Sequence, residues 1–183
     1  NKQADAFIVF TNSPASTTVS GLTHLVASSV IVWQDGVCPE DSNGDPKTYT
    51  VSSSGTITLD TAATTGIVGL SYTAQWKSGK LGIAASAAAT ALLQSKRINS
   101  LGLIGAWLHR KGIKFGPDFD HLDDLPAIEQ GASVASTAVR ESYDEDPHVF
   151  PGVWNTDARL CLQAQAPRPA TILAAVPDMV IND

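Results

Sequence analysis

The densest gathering of chemically capable side chains in this 183-residue sequence is DFDHLDD, residues 118–124, with four carboxylates around His121. Asp118, Asp120, Asp123 and Asp124 are oxygen donors of the kind hard cations accept, and a carboxylate beside an imidazole is the raw material of acid–base catalysis. A catalytic metal centre asks for more, normally a second histidine in HxH or HExxH spacing, and the sequence has neither. The run therefore reads first as a solvated acidic loop. An enzyme built on Asp118, Asp120, His121 and Asp124 is the sharper alternative.

Other chemical signatures fail on their spacing. KSGK, residues 77–80, lacks the earlier glycine of a phosphate loop, and Leu81 stands where Ser or Thr would hold magnesium. EDSNGD, residues 40–45, does not alternate its carboxylates as a calcium loop must, so Asn43-Gly44 reads as a hairpin turn. There is no GxSxG elbow, and His24, His109 and His148 stand alone. Cys38 and Cys161 fall in no CxxC or Cys/His pattern and read as reduced thiols. No catalytic, cofactor-binding or metal-binding residue is nominated, and no enzyme is expected.

Charge is informative through its distribution. The net charge of -6 argues against tight nucleic-acid binding, which depends on Lys and Arg against phosphates. No acidic residue occurs between Thr61 and Pro117, a span holding Lys77, Lys80, Lys96, Arg97, Arg110, Lys111 and Lys114. From Asp118 to Asp146 the sign reverses, and Arg140 is the sole cation. Either the two segments neutralise one another within the fold, or they meet across a subunit boundary where complementary charge fixes orientation. Under the second reading the interface candidates are Lys96, Arg97, Arg110, Lys111, Lys114, Asp118, Asp120, Asp123 and Asp124.

The elements that must carry these residues are strands, because apolar side chains recur with period two. GIVGLSYTAQW (66–76) reads as one strand with Val68, Leu70, Tyr72, Ala74 and Trp76 inward. ADAFIVF (4–10) and ARLCLQAQ (158–165) are further strands; Pro167-Arg168-Pro169 breaks the pairing before ATILAAV resumes it. KTYTVSSSGTITLD (47–60) gives two short strands, Tyr49 and Val51 opposite Ile57 and Leu59. SSVIVW (28–33) is apolar on both faces and reads as a central strand covered twice, with Trp33 in the core and a turn at Asp35-Gly36. INSLGLIGAWL (98–108) reads as a strand with Ile98, Ile104, Ala106 and Leu108 on one face. The single helix candidate is Ala-rich residues 83–93, and 116–156 read as a long acidic loop.

The expected fold is mainly β: an antiparallel β-sandwich or barrel-like domain with at most one short helix. It is read as one domain over 1–183, with a candidate small barrel-like subdomain over 26–66. The opening at Asn1 without Met points to a fragment of a longer chain, and no apolar run is long enough for a membrane helix. Trp107, beside His109-Arg110, and Trp154, after Pro151-Gly152, are the candidate exposed aromatics of a carbohydrate- or receptor-binding face.

Several pieces, taken in order, resemble one family: SGLTHL (20–25), VIVWQDG (30–36), SSGTITL (53–59), VGLSYTAQWKSGKL (68–81), KRI (96–98), GIKFG (112–116) and APRPATILA (166–174). Their order is similar to the C-terminal part of tail nozzle or hub proteins of short-tailed bacteriophages. These are the tail tubular protein B-like chains related to packaged-DNA stabilisation proteins, and the resemblance spans most of residues 4–180. It implies a virion component assembled in the host bacterial cytoplasm, with no cofactor and no catalytic residues. It implies a hexameric ring of copies that closes the DNA exit and conducts DNA at ejection without gripping it. The implied neighbours are the adaptor or head-to-tail connector and tail fibre proteins, with no membrane insertion by this segment. Two features depart from the family: no long propeller-like N-terminal region is present, and the Ala-rich 83–93 is unusual.

Overall fold

A computed structural model describes residues 3–82, 93–129, 132–144 and 147–182. The chain divides into two compact units, one of residues 1–73 with 165–169 and the other of 74–164 with 170–183. The segment 26–66 lies inside the first. Antiparallel strands dominate both, as expected, and no sheet closes on itself among the described residues. No described helix is long and apolar enough to cross a membrane. The helix candidate over 83–93 lies outside the described residues except for Leu93, which is exposed.

In the first unit, β1 (Asp5–Val19), β2 (Ser29–Gln34), β3 (Thr48–Thr50) and β4 (Ile57–Leu70) form one sheet in the order β1-β4-β2-β3. The segment 66–69 of β4 pairs with β1 on one side and β2 on the other. Glycine is needed at Gly66 because a Cβ there would collide with the Trp33 carbonyl and the Phe10 ring. Register shifts between Thr11 and Thr18 bend β1 along β4, so both strands contribute to one core of Phe10, Val19, Ile57, Leu59 and Val68.

β2 behaves as its double apolar pattern required. Val30 and Val32 enter that core, while Ile31 and the partly buried Trp33 pack on the other face with Ala4, Ile67 and Ala166. At its end Asp35 and Gly36 take φ of 45° and 84°, and Gln34 and Val37 exchange backbone hydrogen bonds of 2.9 and 2.8 Å. That is the primed two-residue turn whose twist suits a hairpin. The expected hairpin over 47–60 is corrected: β3 takes β2 as its ladder partner, Val30 opposite Tyr49. Tyr49, Val51, Ile57 and Leu59 still share the core.

The second unit holds β5 (Thr73–Lys77, from Ala74 onward), β6 (Lys96–His109), β7 (Ile113–Gly116), β8 (Asp123–Asp124) and β9 (Ile128–Glu129). It continues with β10 (Ala132–Ser133), β11 (Val139–Tyr143), β12 (His148–Val149), β13 (Cys161–Gln165) and β14 (Thr171–Ile181). β6 is the organiser, with β11 and β12 along one side and β14 along the other, while β5-β13-β7-β8 form another sheet. Between them lie Leu101, Leu103, Phe115, Tyr143 and Phe150, all buried.

Three sequence expectations change here. GIVGLSYTAQW is not one strand: β4 ends at Leu70, β5 begins at Thr73, and Trp76 is 52% exposed instead of core. The common face of Ile98, Ile104, Ala106 and Leu108 is broken by a bulge. Ile98 pairs with Met179 but Ser100 with Asp178, so the extra residue Asn99 inverts the alternation and leaves Ile104 42% exposed. The acidic segment 116–156 is no simple loop, because it contributes β8 to β12 and the buried Leu125, Tyr143 and Phe150.

Candidate functional site

The acidic run is organised locally. Asp118 Oδ1 accepts the backbone N–H groups of Asp120 and His121 at 2.9 Å each and faces His121 Nδ1 at 2.8 Å. The imidazole contact, ahead of those N–H bonds, holds the Asp118 carboxyl below its usual range. Gly116 lets the chain fold this tightly, since a Cβ there would overlap the His121 carbonyl. Asp123 and Asp124 depart on β8, where Lys114 pairs with Asp124 at 3.7 Å. Among the described residues no group of three or more His, Cys, Asp and Glu side chains is placed to hold a metal ion.

The proposed interface cations split. Lys96 is fully buried, and its ammonium donates to the carbonyls of Gln94 and Thr156 at 2.9 and 3.0 Å. Loss of surrounding water, with Lys80 adding to it, pushes its pKa down. Lys96 is therefore removed from the surface candidates: it opens β6 on the core-facing parity. Arg97, one residue on, is exposed on the opposite face. Arg110 and Lys111 are half-buried at the end of β6, Arg110 through a backbone bond to the Ala138 carbonyl. Lys114 reaches Asp124 within its own chain, which was the competing account of the charge pattern, whereas Asp120 and Asp123 are exposed. Cys38 and Cys161 are both buried.

The aromatic candidates tell a different story from the charges. Trp107 and Trp154 are both half-exposed, in line with the sequence reading. Trp107 also sits at φ 52°, a left-handed conformation rare for a bulky residue within a strand. From the sequence, Trp76 joins Trp107 and Trp154 as a candidate for a sugar-binding face, although its strand parity favours the core; it is instead exposed. It lines a groove of about 370 Å³ in the second unit, with Gln75, Ile113, Leu162, Gln163 and Ile172. Gln75 Nε2 donates to Gln163 Oε1 at 2.8 Å, which ties two amides together beside the indole.

A smaller, polar cleft of about 180 Å³ is lined by Lys77, Asp118, Asn155, Asp157 and Arg159. Arg159 Nε there donates to both Asp157 oxygens at 3.0 and 3.1 Å and holds that carboxyl below its usual range. Its charges are thus largely compensated. No family model and no curated protein matches the sequence.

Proposed function

We propose that this chain is a structural subunit of a short-tailed phage tail, one copy in a hexameric nozzle or hub that closes the DNA exit and conducts DNA during ejection. The observation that carries the assembly reading is the surface of the second unit, where Val149, Leu173 and Val176 are 83%, 68% and 61% exposed. Strand surfaces this apolar serve association far more readily than solvation. Asp120, Asp123, Glu141 and Asp144 are exposed as well. A wall of that sign repels phosphates and lets DNA slide. The tail itself comes from the resemblance in order of the sequence pieces, as do the adaptor and tail fibre neighbours and the virion location. Native mass combined with negative-stain imaging tests the reading: a ring near six subunits is expected, and a monomer at all concentrations would overturn it.

The groove at Trp76 favours a second reading, a carbohydrate- or receptor-binding module of the tail. An indole face stacks on the apolar face of a sugar ring while paired amides serve its hydroxyls. Titration of an oligosaccharide panel against the chain and its Trp76→Ala variant decides it. Binding that is lost in the variant favours the module, and no heat with any sugar discards it.

A further inference from the structure

We propose that the outer face of the β6–β14 sheet is where two copies of this chain meet, face to face. The inference rests on the assembly reading above but on neither the tail nor the ring. Antiparallel pairing places facing residues on the same side of a sheet, so the register defines this face row by row. Arg97 pairs with Val180, and the next outer row sets Asp178 beside Ser100 and Val149. Gly102 then pairs with Val176, and Ile104 with Ala174. The alternate rows point inward: Ile98 with Met179, Leu101 with His148, and Leu103 with Ala175, all buried or partly buried.

The occupant follows from two complementarities that the face has with itself. First, Arg97 and Asp178 are both exposed, and neither forms an ion pair among the described residues. They lie on neighbouring strands one row apart, about 7 Å along the strand direction. A two-fold axis running along the strands lays β6 of one copy over β14 of the other. Each Arg97 then falls within side-chain reach of the opposite Asp178, twice per pair. Second, the same operation sets each Val176 over the opposite Gly102, a projection over a position with no side chain. Packed sheets sit about 10 Å apart, a gap that a Val over a Gly and an Ile104 over an Ala174 can fill.

The rows cover on the order of 400 Å² per copy, at the small end for a specific interface, so the contact is expected to be micromolar. A closed ring repeats one head-to-tail contact, whereas this contact is isologous and ends at two copies, so the mass of the oligomer separates the two.

Sedimentation velocity on the 183-residue chain and its variants is the test, with thermal unfolding to show that each variant folds. The wild type is expected to dimerise with a dissociation constant on the order of micromolar. Arg97→Glu and Asp178→Arg should each weaken the pair roughly tenfold or more by setting like charges opposite one another. The double variant should recover it, and an equimolar mixture of the two single variants should form a heterodimer. Val176→Lys should leave only monomer. A wild-type chain that stays monomeric at about 0.1 mM overturns both this contact and the assembly reading. An oligomer indifferent to all these substitutions overturns this face alone and leaves the assembly reading in place.

Discussion

The two units differ most in how far they leave apolar side chains exposed. In the first unit, charged groups are consumed in holding the fold. Asp35 accepts hydrogen bonds from the backbone and hydroxyls of Thr64 and Thr65, and Asp60 takes both the Lys47 ammonium at 2.8 Å and the Tyr49 hydroxyl at 2.9 Å. Arg168, 4% exposed, reaches Glu40 at 2.8 Å and the Gly44 carbonyl. The second unit buries a comparable aliphatic and aromatic core yet leaves Trp76, Ile104, Trp107, Val149, Leu173 and Val176 at its surface. The first unit spends these charges internally, and its exposed apolar side chains, Phe7, Val9, Val26, Val37 and Tyr72, are less exposed than Val149, Leu173 and Val176 of the second. The second unit leaves aliphatic rows on a sheet face, the feature on which the proposed assembly rests.

Breaking either core should produce the largest effect and show how separate the units are. Leu101→Ala, at a fully buried position of β6, is expected to cost about 3 kcal/mol in urea unfolding, while Val176→Ser on the outer face of the same sheet stays within about 0.5 kcal/mol for the monomer. Equal losses at the two positions would mean that the outer face is part of a core.

In the first unit, Glu40→Ala removes the carboxylate facing the buried Arg168 guanidinium and should cost about 2–3 kcal/mol by the same measurement. A neutral outcome would remove the claim that this unit invests its charges in stability. Tyr143→Phe probes a buried polar contact of the second unit, the Tyr143 hydroxyl against His148 Nε2, where about 1–2 kcal/mol is expected.

The smallest effect is one of pH. The hydroxyl and N–H groups of Thr64, with the Thr65 N–H, hold the Asp35 carboxyl down to about 2, against 3.8 ordinarily. Between those values the unfolded chain binds the proton and the folded chain does not. The stabilisation is therefore complete above about pH 4 and fades as pH falls toward 2. Asp35→Asn, which keeps a residue tolerant of the left-handed turn, should flatten that part of an acid-unfolding curve. An unchanged curve would place the acid sensitivity elsewhere.

Much of the first unit was legible in the sequence because its signals are local. The double apolar parity of Val30 to Trp33 and the Asp-Gly pair after it specify a covered strand and a primed turn without reference to the rest of the chain. The exposure of Trp107 and Trp154 could be read from their polar or turn-forming neighbours. In the second unit the decisive facts are long-range. Nothing around Asn99 marks a bulge; the inversion comes from pairing with β14, far along the sequence. Lys96 reads as a surface cation by type, whereas in the fold it is buried and donates to the Gln94 and Thr156 carbonyls. Trp76 was misplaced because apolar alternation runs unbroken through Ser71-Tyr72, where the strand stops and the unit changes.

The bare face of the second unit bears most directly on function, and native mass spectrometry of the chain over a concentration series reads it out. Multimers that grow with concentration and disappear in Val176→Lys are expected. A monomer throughout, in wild type and variant alike, would contradict assembly through this unit.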